Sequence, residues 1–351
     1  LCLFLLNKII FKKNGMFKKI LKIVLYVFIS LLVLAGLLLA YFNLPVKNVK
    51  NKVDIGVTFS SRYAEDIGLD WKETYIAMLD DLKVRKIRIP VYWDWAEPKE
   101  GEYDFSDIEW QLREAQKRNA EVILVVGQKV PRWPECFIPE WANVNDSKRK
   151  ESLVRFVETA INHFKNYPAI KYWQVENEPF LDFGVCPNAD YALVDEEIET
   201  VRKNDNSRKI IVTDSGELSL WVSAAKRADI FGTTMYREVV SKKVGSWKYP
   251  IGPNFFKFKR FLIDIFANQK NAFVIELQGE PWLQGWTTGF PLADQLVSMN
   301  SDKLKDNVQF AKNAGFSGIY IWGVEWWYWT KTAQNYPDVW EEARKIFAEN
   351  N

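Results

Sequence analysis

From Val53 onward the sequence alternates eight times between a short β-branched or apolar run and a longer segment of helical periodicity, and this repeat restricts the fold more than any other feature. The strand candidates are 53–60, 86–93, 121–128, 170–178, 209–215, 230–238, 271–278 and 318–326. The third helical segment is the clearest: Leu153, Phe156, Val157, Ala160, Ile161 and Phe164 recur at i, i+3, i+4, i+7, i+8 and i+11, a stripe that must face a core. Asp70 with Glu73, and Ser106 with Glu109, stand where capping residues would open the first two helices. Such alternation requires parallel strands joined by right-handed crossovers, and eight repeats close an α/β (β/α)8 TIM barrel. An open doubly wound sheet fits less well, because no GxGxxG follows the first strand and no nucleotide loop appears. No Gly/Pro/Ser-rich linker divides the repeat, so 53–351 is expected to be one domain.

Ahead of it, residues 23–42 (IVLYVFISLLVLAGLLLAYF) are 20 residues without a charge. At ~1.5 Å per residue this helix would span a hydrocarbon core of ~30 Å. Six lysines precede it (Lys8, Lys12, Lys13, Lys18, Lys19, Lys22) against three that follow (Lys47, Lys50, Lys52). The positive-inside bias therefore predicts a cytoplasmic 1–22, a transmembrane signal anchor at 23–42, a linker at 43–52 and an extracytoplasmic domain on a single-pass cell-membrane protein. A cleaved signal peptide is the rival, but the run exceeds the usual ~7 to 15 apolar residues and lacks a small-x-small site. Met16, directly before FKKILK, is the expected start of translation.

Composition excludes some partners. The nine lysines of residues 1–53 face no acid, and removing them from the 47 basic residues leaves 38 against 45 acidic ones. An acidic domain is the wrong surface for nucleic acid. Cys2, Cys136 and Cys186 are too few and too scattered for a zinc site. Export would let Cys136 and Cys186, both expected in loops on one rim, pair as a disulfide or remain free. The lone histidine, His163, falls on the third helix, and neither a metal nor a cofactor is expected.

In a (β/α)8 barrel function gathers at the C-terminal ends of the strands. Arg88 and Trp93 stand there on strand two, Asn177 and Glu178 on strand four, Tyr236 on strand six, Glu276 and Gln278 on strand seven, and Trp322 and Glu325 on strand eight. Two carboxylates across a closed mouth, Glu178 and Glu276, are what cleavage of a glycosidic bond requires: one protonates the leaving oxygen while the other attacks or orients water at the anomeric carbon. Alternation would turn Val274 and Glu276 toward the axis and Phe273 and Ile275 toward helices. Arg88 and Tyr236 as donors would favour a charged Glu276, suiting a nucleophile. Glu178, part-buried beside Glu276, would keep its proton near neutral pH, suiting an acid/base. Strict alternation separates Asn177 from Glu178 unless a bulge or strand-end twist intervenes; without one, Glu176 is the reserve acid/base, and Glu280 is the reserve nucleophile. Ten of the 16 tryptophans (Trp93, Trp95, Trp133, Trp141, Trp282, Trp286, Trp322, Trp326, Trp327, Trp329) fall at strand ends or in the loops beyond, and some, Trp282 among them, would wall sugar subsites.

These residues resemble the retaining glycoside hydrolases of clan A, the (β/α)8 superfamily of cellulases, mannanases and several β-galactosidases. NEP at 177–179 is similar to that clan's acid/base motif after strand four, and IEL at 275–277 to its nucleophile motif after strand seven. RIP at 88–90 resembles the strand-two arginine, and EPKEGEYDFS at 97–106 the opening of helix two. By resemblance, Asn177 would hydrogen-bond the sugar 2-hydroxyl, Tyr236 would hold the nucleophile and Trp322 would floor the cleaved sugar. Many members place histidines in this cleft; here there is none. The resemblance implies a retaining β-glycosidase acting on an oligo- or polysaccharide without a cofactor. The alternative is a non-catalytic carbohydrate receptor on a degenerate barrel.

Overall fold

The computed structural model describes residues 2–241, 245–283 and 285–350, with backbone alone for 2–18 and 241. The side chains of Cys2, Lys8, Lys12, Lys13, Met16 and Lys18 lie outside the described residues, as do 242–244 of the loop after strand six. The chain divides into two compact units, Leu1–Val46 with Pro250–Phe255, and Lys47–Tyr249 with Phe256–Asn351. The first is built on one helix, Cys2–Phe42, of which Lys19–Phe42 is long and apolar enough to cross a membrane and contains no buried residue. Within that unit Asn43 Nδ2 donates to the Pro250 carbonyl at 3.0 Å and Asn254 Nδ2 to the Tyr41 carbonyl at 3.2 Å.

The second unit is a closed parallel barrel with helices outside it. Its strands are β1 (Asp54–Thr58), β2 (Lys86–Pro90), β3 (Glu121–Val126), β4 (Ile170–Val175), β5 (Lys209–Asp214), β6 (Ile230–Met235), β9 (Ala272–Gln278) and β10 (Gly318–Trp322); a hairpin, β7 (Glu238–Ser241) and β8 (Gly245–Lys248), stands apart from it. Around the barrel the order is β1, β10, β9, β6, β5, β4, β3, β2. The helical stripe from Leu153 to Phe164 is buried along its length on the helix Asp146–Phe164. Asp70 caps the helix Trp71–Asp80 by accepting from Lys72 N and Glu73 N, whereas Ser106 is itself the first helical residue and donates its N–H to Asp104.

The barrel interior has two storeys. The lower is apolar: Ile123, Ile211, Ile230, Ile275 and Tyr320 come from β3, β5, β6, β9 and β10, with Tyr172 and Phe273 packed against them. Side chains from five strands around a closed sheet meet only at its axis, which corrects the expected outward turn of Phe273 and Ile275. The cause is a bulge on β9: its pairing with β6 steps from Thr233↔Val274 to Thr234↔Glu276, so Ile275 and Glu276 both point inward. The upper storey is polar, made of Thr58, Arg88, Gln174 and Glu276. Strand eight is also shorter than expected. Gly323, at φ +120, ends β10, and the helix Val324–Ala333 takes up Glu325, Trp326, Trp327 and Trp329.

Candidate active site

Arg88 organises the mouth of the barrel. It is fully buried on β2, where an unpaired guanidinium would be prohibitively costly, and it is satisfied on every side. Nε donates to Gln174 Oε1 at 2.8 Å, Nη2 to Asn177 Oδ1 at 2.6 Å, and Nη1 to Glu276 Oε2 at 2.9 Å. The other oxygen of Glu276 accepts from the Tyr236 hydroxyl. Both carboxylate oxygens are thus oriented by donors from β2 and the end of β6.

The strand-four end solves the alternation problem by leaving the β-region. Glu176 and Glu178 both adopt positive φ, +56 and +47, on either side of Asn177. Glu176 turns away from the cavity, accepting from the backbone of Gln128 at 2.9 Å and of Lys129 at 2.6 Å. Asn177 then faces Arg88, and Glu178 faces the cavity, where its Oε1 accepts from Thr234 Oγ1 at 2.9 Å. Glu176 is therefore not available as an acid/base. Gly127 makes this possible: at φ +135, a Cβ there would stand 2.6 Å from Glu176 Cδ. Lys129 Nζ fastens the following turn through the carbonyls of Glu178 (3.1 Å) and Leu181 (2.8 Å).

Glu178 and Glu276 line one cavity of about 720 Å³, within the ~300 to 1,000 Å³ of small-molecule sites. Trp133, Trp282, Trp286, Trp322, Tyr236 and Phe183 contribute its aromatic walls. Burial, and secondarily the charge of Glu276, raise the Glu178 pKa to about 8. A protonated acid beside an oriented carboxylate is the equipment for acid-assisted displacement at a carbon bearing a leaving oxygen.

Several predicted residues lie elsewhere. Trp93 is corrected: the chain leaves β2 for the short helix Trp93–Ala96, and the indole is wholly buried, bonded to Glu97 Oε2 and stacked on Phe156. Gln278 is buried outside the cavity and fastens the start of β7, its Oε1 accepting from Arg237 N and Glu238 N. Glu325 is helical and buried, accepting from Ser60 N and Arg132 Nη2. Both brace the rim, and neither lines the cavity. Glu280 lines the cavity but is ion-paired to Arg132 at 2.6 Å, not aimed as a second nucleophile. Cys136 and Cys186 are joined by a disulfide, tying the loop after β3 to the loop after β4.

Sequence reasoning missed Arg132 and Glu135 after β3, Glu217 after β5, and Thr234 on β6, all of which line the cavity. Glu135 accepts from Asn177 Nδ2 at 3.3 Å, and its pKa is pushed well above the ordinary range by burial and then by Glu276 and Glu178. Glu217 accepts the Tyr236 N–H at 3.0 Å. The usable signal was position: each charged residue lies in the loop that follows a barrel strand, within nine residues of its end. Among the described residues no three His, Cys, Asp or Glu side chains are grouped as metal ligands.

A closed (β/α)8 barrel carrying an acidic pair among aromatic walls at its C-terminal mouth has the layout of a glycoside hydrolase. The model of the cellulase family, glycosyl hydrolase family 5, matches residues 55–237, more than half the sequence, and the chain belongs to that family, whose members are retaining enzymes of clan A. Among solved structures, a GH5_18 variant from Bifidobacterium longum subsp. longum in complex with Manβ1-4GlcNAc aligns at 13% identity and TM-score 0.55, covering 77% of this chain and 68% of that one. A β-galactosidase from the haloarchaeon Halorubrum lacusprofundi aligns at 13% and TM-score 0.55, covering 84% and 58%. An exo-β-1,4-mannosidase from Opitutaceae bacterium strain TAV5 aligns at 14% and TM-score 0.52, covering 80% and 54%. These likenesses are of fold. A search of curated proteins finds no sequence match.

Proposed function

We propose that the chain is a membrane-anchored, extracytoplasmic β-glycosidase that works by double displacement on an oligo- or polysaccharide. Glu276 attacks the anomeric carbon while Glu178 gives its proton to the departing oxygen, leaving a glycosyl ester on Glu276. Glu178, now a carboxylate, takes a proton from water as that water attacks the same carbon, and the second step releases Glu276 and a sugar of retained configuration. The observation that carries this reading is the shared cavity: Glu178 held protonated near neutral pH, and Glu276 with both oxygens oriented by Arg88 and Tyr236. Asn177, anchored to Arg88, is assigned to the 2-hydroxyl; Trp282 and Trp322 are assigned to the sugar faces. The β-galactosidase, the mannosidase and the Manβ1-4GlcNAc complex among the structural neighbours favour a β-linked hexose. Anchoring is supported by the exposed apolar helix Lys19–Phe42, and export by the lysine asymmetry and by a disulfide that an oxidising compartment would preserve.

The test is an aryl β-glycoside and oligosaccharide panel with wild type, Glu276→Ala and Glu178→Ala, reading the first-formed anomer by NMR. Turnover with retention in the wild type and its loss in Glu276→Ala is expected. Inverted product would refute double displacement, and binding without turnover throughout would favour a carbohydrate receptor.

A further inference from the structure

The helix Pro253–Ala267 carries apolar residues on both of its faces. Inward it presents Phe256, Lys259 and Ile263, all buried. A surface helix ordinarily turns polar and charged side chains to the opposite side. Here that side repeats Phe258, Phe261, Leu262, Ile265 and Phe266 at i, i+3, i+4, i+7 and i+8, a second stripe at helical spacing. Phe261, Ile265 and Phe266 are 56%, 57% and 59% exposed, and Phe258 and Leu262 are half-buried among them. Exposed hydrophobic residues scattered singly need no explanation, but a continuous stripe of them marks a surface that something covers.

Connectivity and charge say what covers it. The first turn of this helix, 253–255, belongs to the unit built on the apolar helix Lys19–Phe42. There Asn254 Nδ2 donates to the carbonyls of Tyr41 and Leu44 at 3.2 and 3.4 Å, and the Phe255 ring meets that of Phe42 edge-on at 5.3 Å. At ~1.5 Å of rise per residue, Phe261 and Phe266 follow Phe255 by only about 9 and 16 Å of helix. The other link between the units, after Val46, enters the second unit beside the same helix: Val49 N donates to Asn313 Oδ1 at 2.9 Å, and Arg260 Nη1 donates to the carbonyl of Gly315, two residues on. Trp247 and Lys248, both exposed, stand just ahead of Pro250, and Trp and Lys are side chains that settle at lipid headgroups. Lys257 and Lys270 add positive charge, and Asp264 is the only acid between positions 245 and 270 of an otherwise acidic domain. A second copy of the chain would cover the stripe as well but gives no reason for these cations, since protein interfaces are depleted in lysine. We propose that the outward stripe of the helix Pro253–Ala267 lies in the surface of a phospholipid bilayer, with Phe261, Ile265 and Phe266 among the upper acyl chains and Trp247 and Lys248 among the headgroups. The assignment rests on the membrane-anchored reading and deepens it: the catalytic unit has its own contact with lipid, a second point of attachment besides the spanning helix.

Nitroxide labels on single cysteines test this in the full chain, carrying Cys2→Ser and with the Cys136–Cys186 disulfide intact, in nanodiscs of phosphatidylcholine and phosphatidylglycerol. Phe261→Cys and Ile265→Cys label the stripe at two exposed positions, Val33→Cys labels the apolar helix, and Glu199→Cys, exposed on the helix Tyr191–Asn204, is the control in water. Power saturation against oxygen and a water-soluble nickel chelate reads the depth of each label. Those at 261 and 265 should both lie about 5 to 10 Å below the headgroup boundary, with 33 deeper and 199 in water. Labels at 261 or 265 as open to nickel as the one at 199, while 33 is immersed, would overturn the lipid contact and leave the anchor standing. A label at 33 that reads as water-exposed would overturn the anchor and this assignment together. Shielding of 261 and 265 from both reagents, with dipolar broadening between labels, would give the face to a second copy of the chain and overturn the assignment as well.

Discussion

Replacing Glu276 by Gln removes a negative charge from the cavity while keeping its shape, and Glu178 should report the loss. Its pKa of about 8 has burial as the largest cause and the charge of Glu276 as the second. For the carboxyl separation of about 5.5 Å that double displacement requires, and an effective dielectric near 20, one unit charge contributes about 3 kcal/mol, or about 2 pKa units. The pKa of Glu178 in Glu276→Gln should therefore fall by about 2 from that value, and stay above the ordinary 4.5 because burial persists. Carbon-13 NMR of the glutamate δ-carbons, comparing wild type with the variant and assigning the signal by its disappearance in Glu178→Gln, measures this directly. A fall below about half a unit would mean that the two carboxyls do not share one sugar-sized seat, and the catalytic pairing would go with it.

Stability should depend on pH through the same group. Because Glu178 titrates at about 8 when folded against 4.5 in the unfolded chain, the native state binds the extra proton between those values, so its contribution is intact below about 4.5 and is lost as pH rises through 8. Urea melts should accordingly show Glu178→Gln more stable than wild type at about pH 9 by at least about 1 kcal/mol, an advantage that shrinks toward pH 5. Arg88→Ala, which strands Glu276 without its cation, should cost about 3 to 5 kcal/mol in the same melts; a cost under about 1 kcal/mol would deny the buried pair. Gly127→Ala puts a Cβ 2.6 Å from Glu176 Cδ at φ +135 and should destabilise by about 1 to 3 kcal/mol while depressing kcat through a displaced Glu178. Replacing both Cys136 and Cys186 with Ser opens a loop spanning 50 positions and should lower stability by up to about 4 kcal/mol.

What could be deduced from the amino-acid string was whatever periodicity and position encode. Eight strands, their order of use and the stripe from Leu153 to Phe164 follow from repeating apolar spacing, which backbone geometry converts into faces. Glu178, Glu276, Arg88, Asn177 and Tyr236 can be singled out because each stands in the upper part of a predicted strand or just beyond it, toward one rim. Trp93 and Glu325 stand at similar positions but were misplaced, since β2 and β10 both give way to helices sooner than their apolar runs suggest. Arg132 and Glu217 were overlooked because loops carry no period, and the long-range bonds from Arg132 to Glu280 and Glu325 join residues 148 and 193 positions apart.

Ile275 and the 176–178 segment show the deeper limit, because in both places the strand departs from alternation to build the site. On β9 the bulge brings two consecutive residues inward, so that Ile275 completes the apolar storey while Glu276 opens the polar one. At the end of β4 the departure runs the other way: two left-handed residues send Glu176, Asn177 and Glu178 in three directions, to a backbone loop, to Arg88 and to the cavity. A regular strand offers only two faces and could not serve all three. The crowding of charge in QVENEP is thus a consequence of geometry. Glu176 holds the 128–129 loop against the strand end, that loop carries Lys129, and Lys129 clamps the carbonyl of Glu178. The acidic neighbour that looks redundant in sequence completes a closed circuit of bonds around the residue proposed to carry the proton.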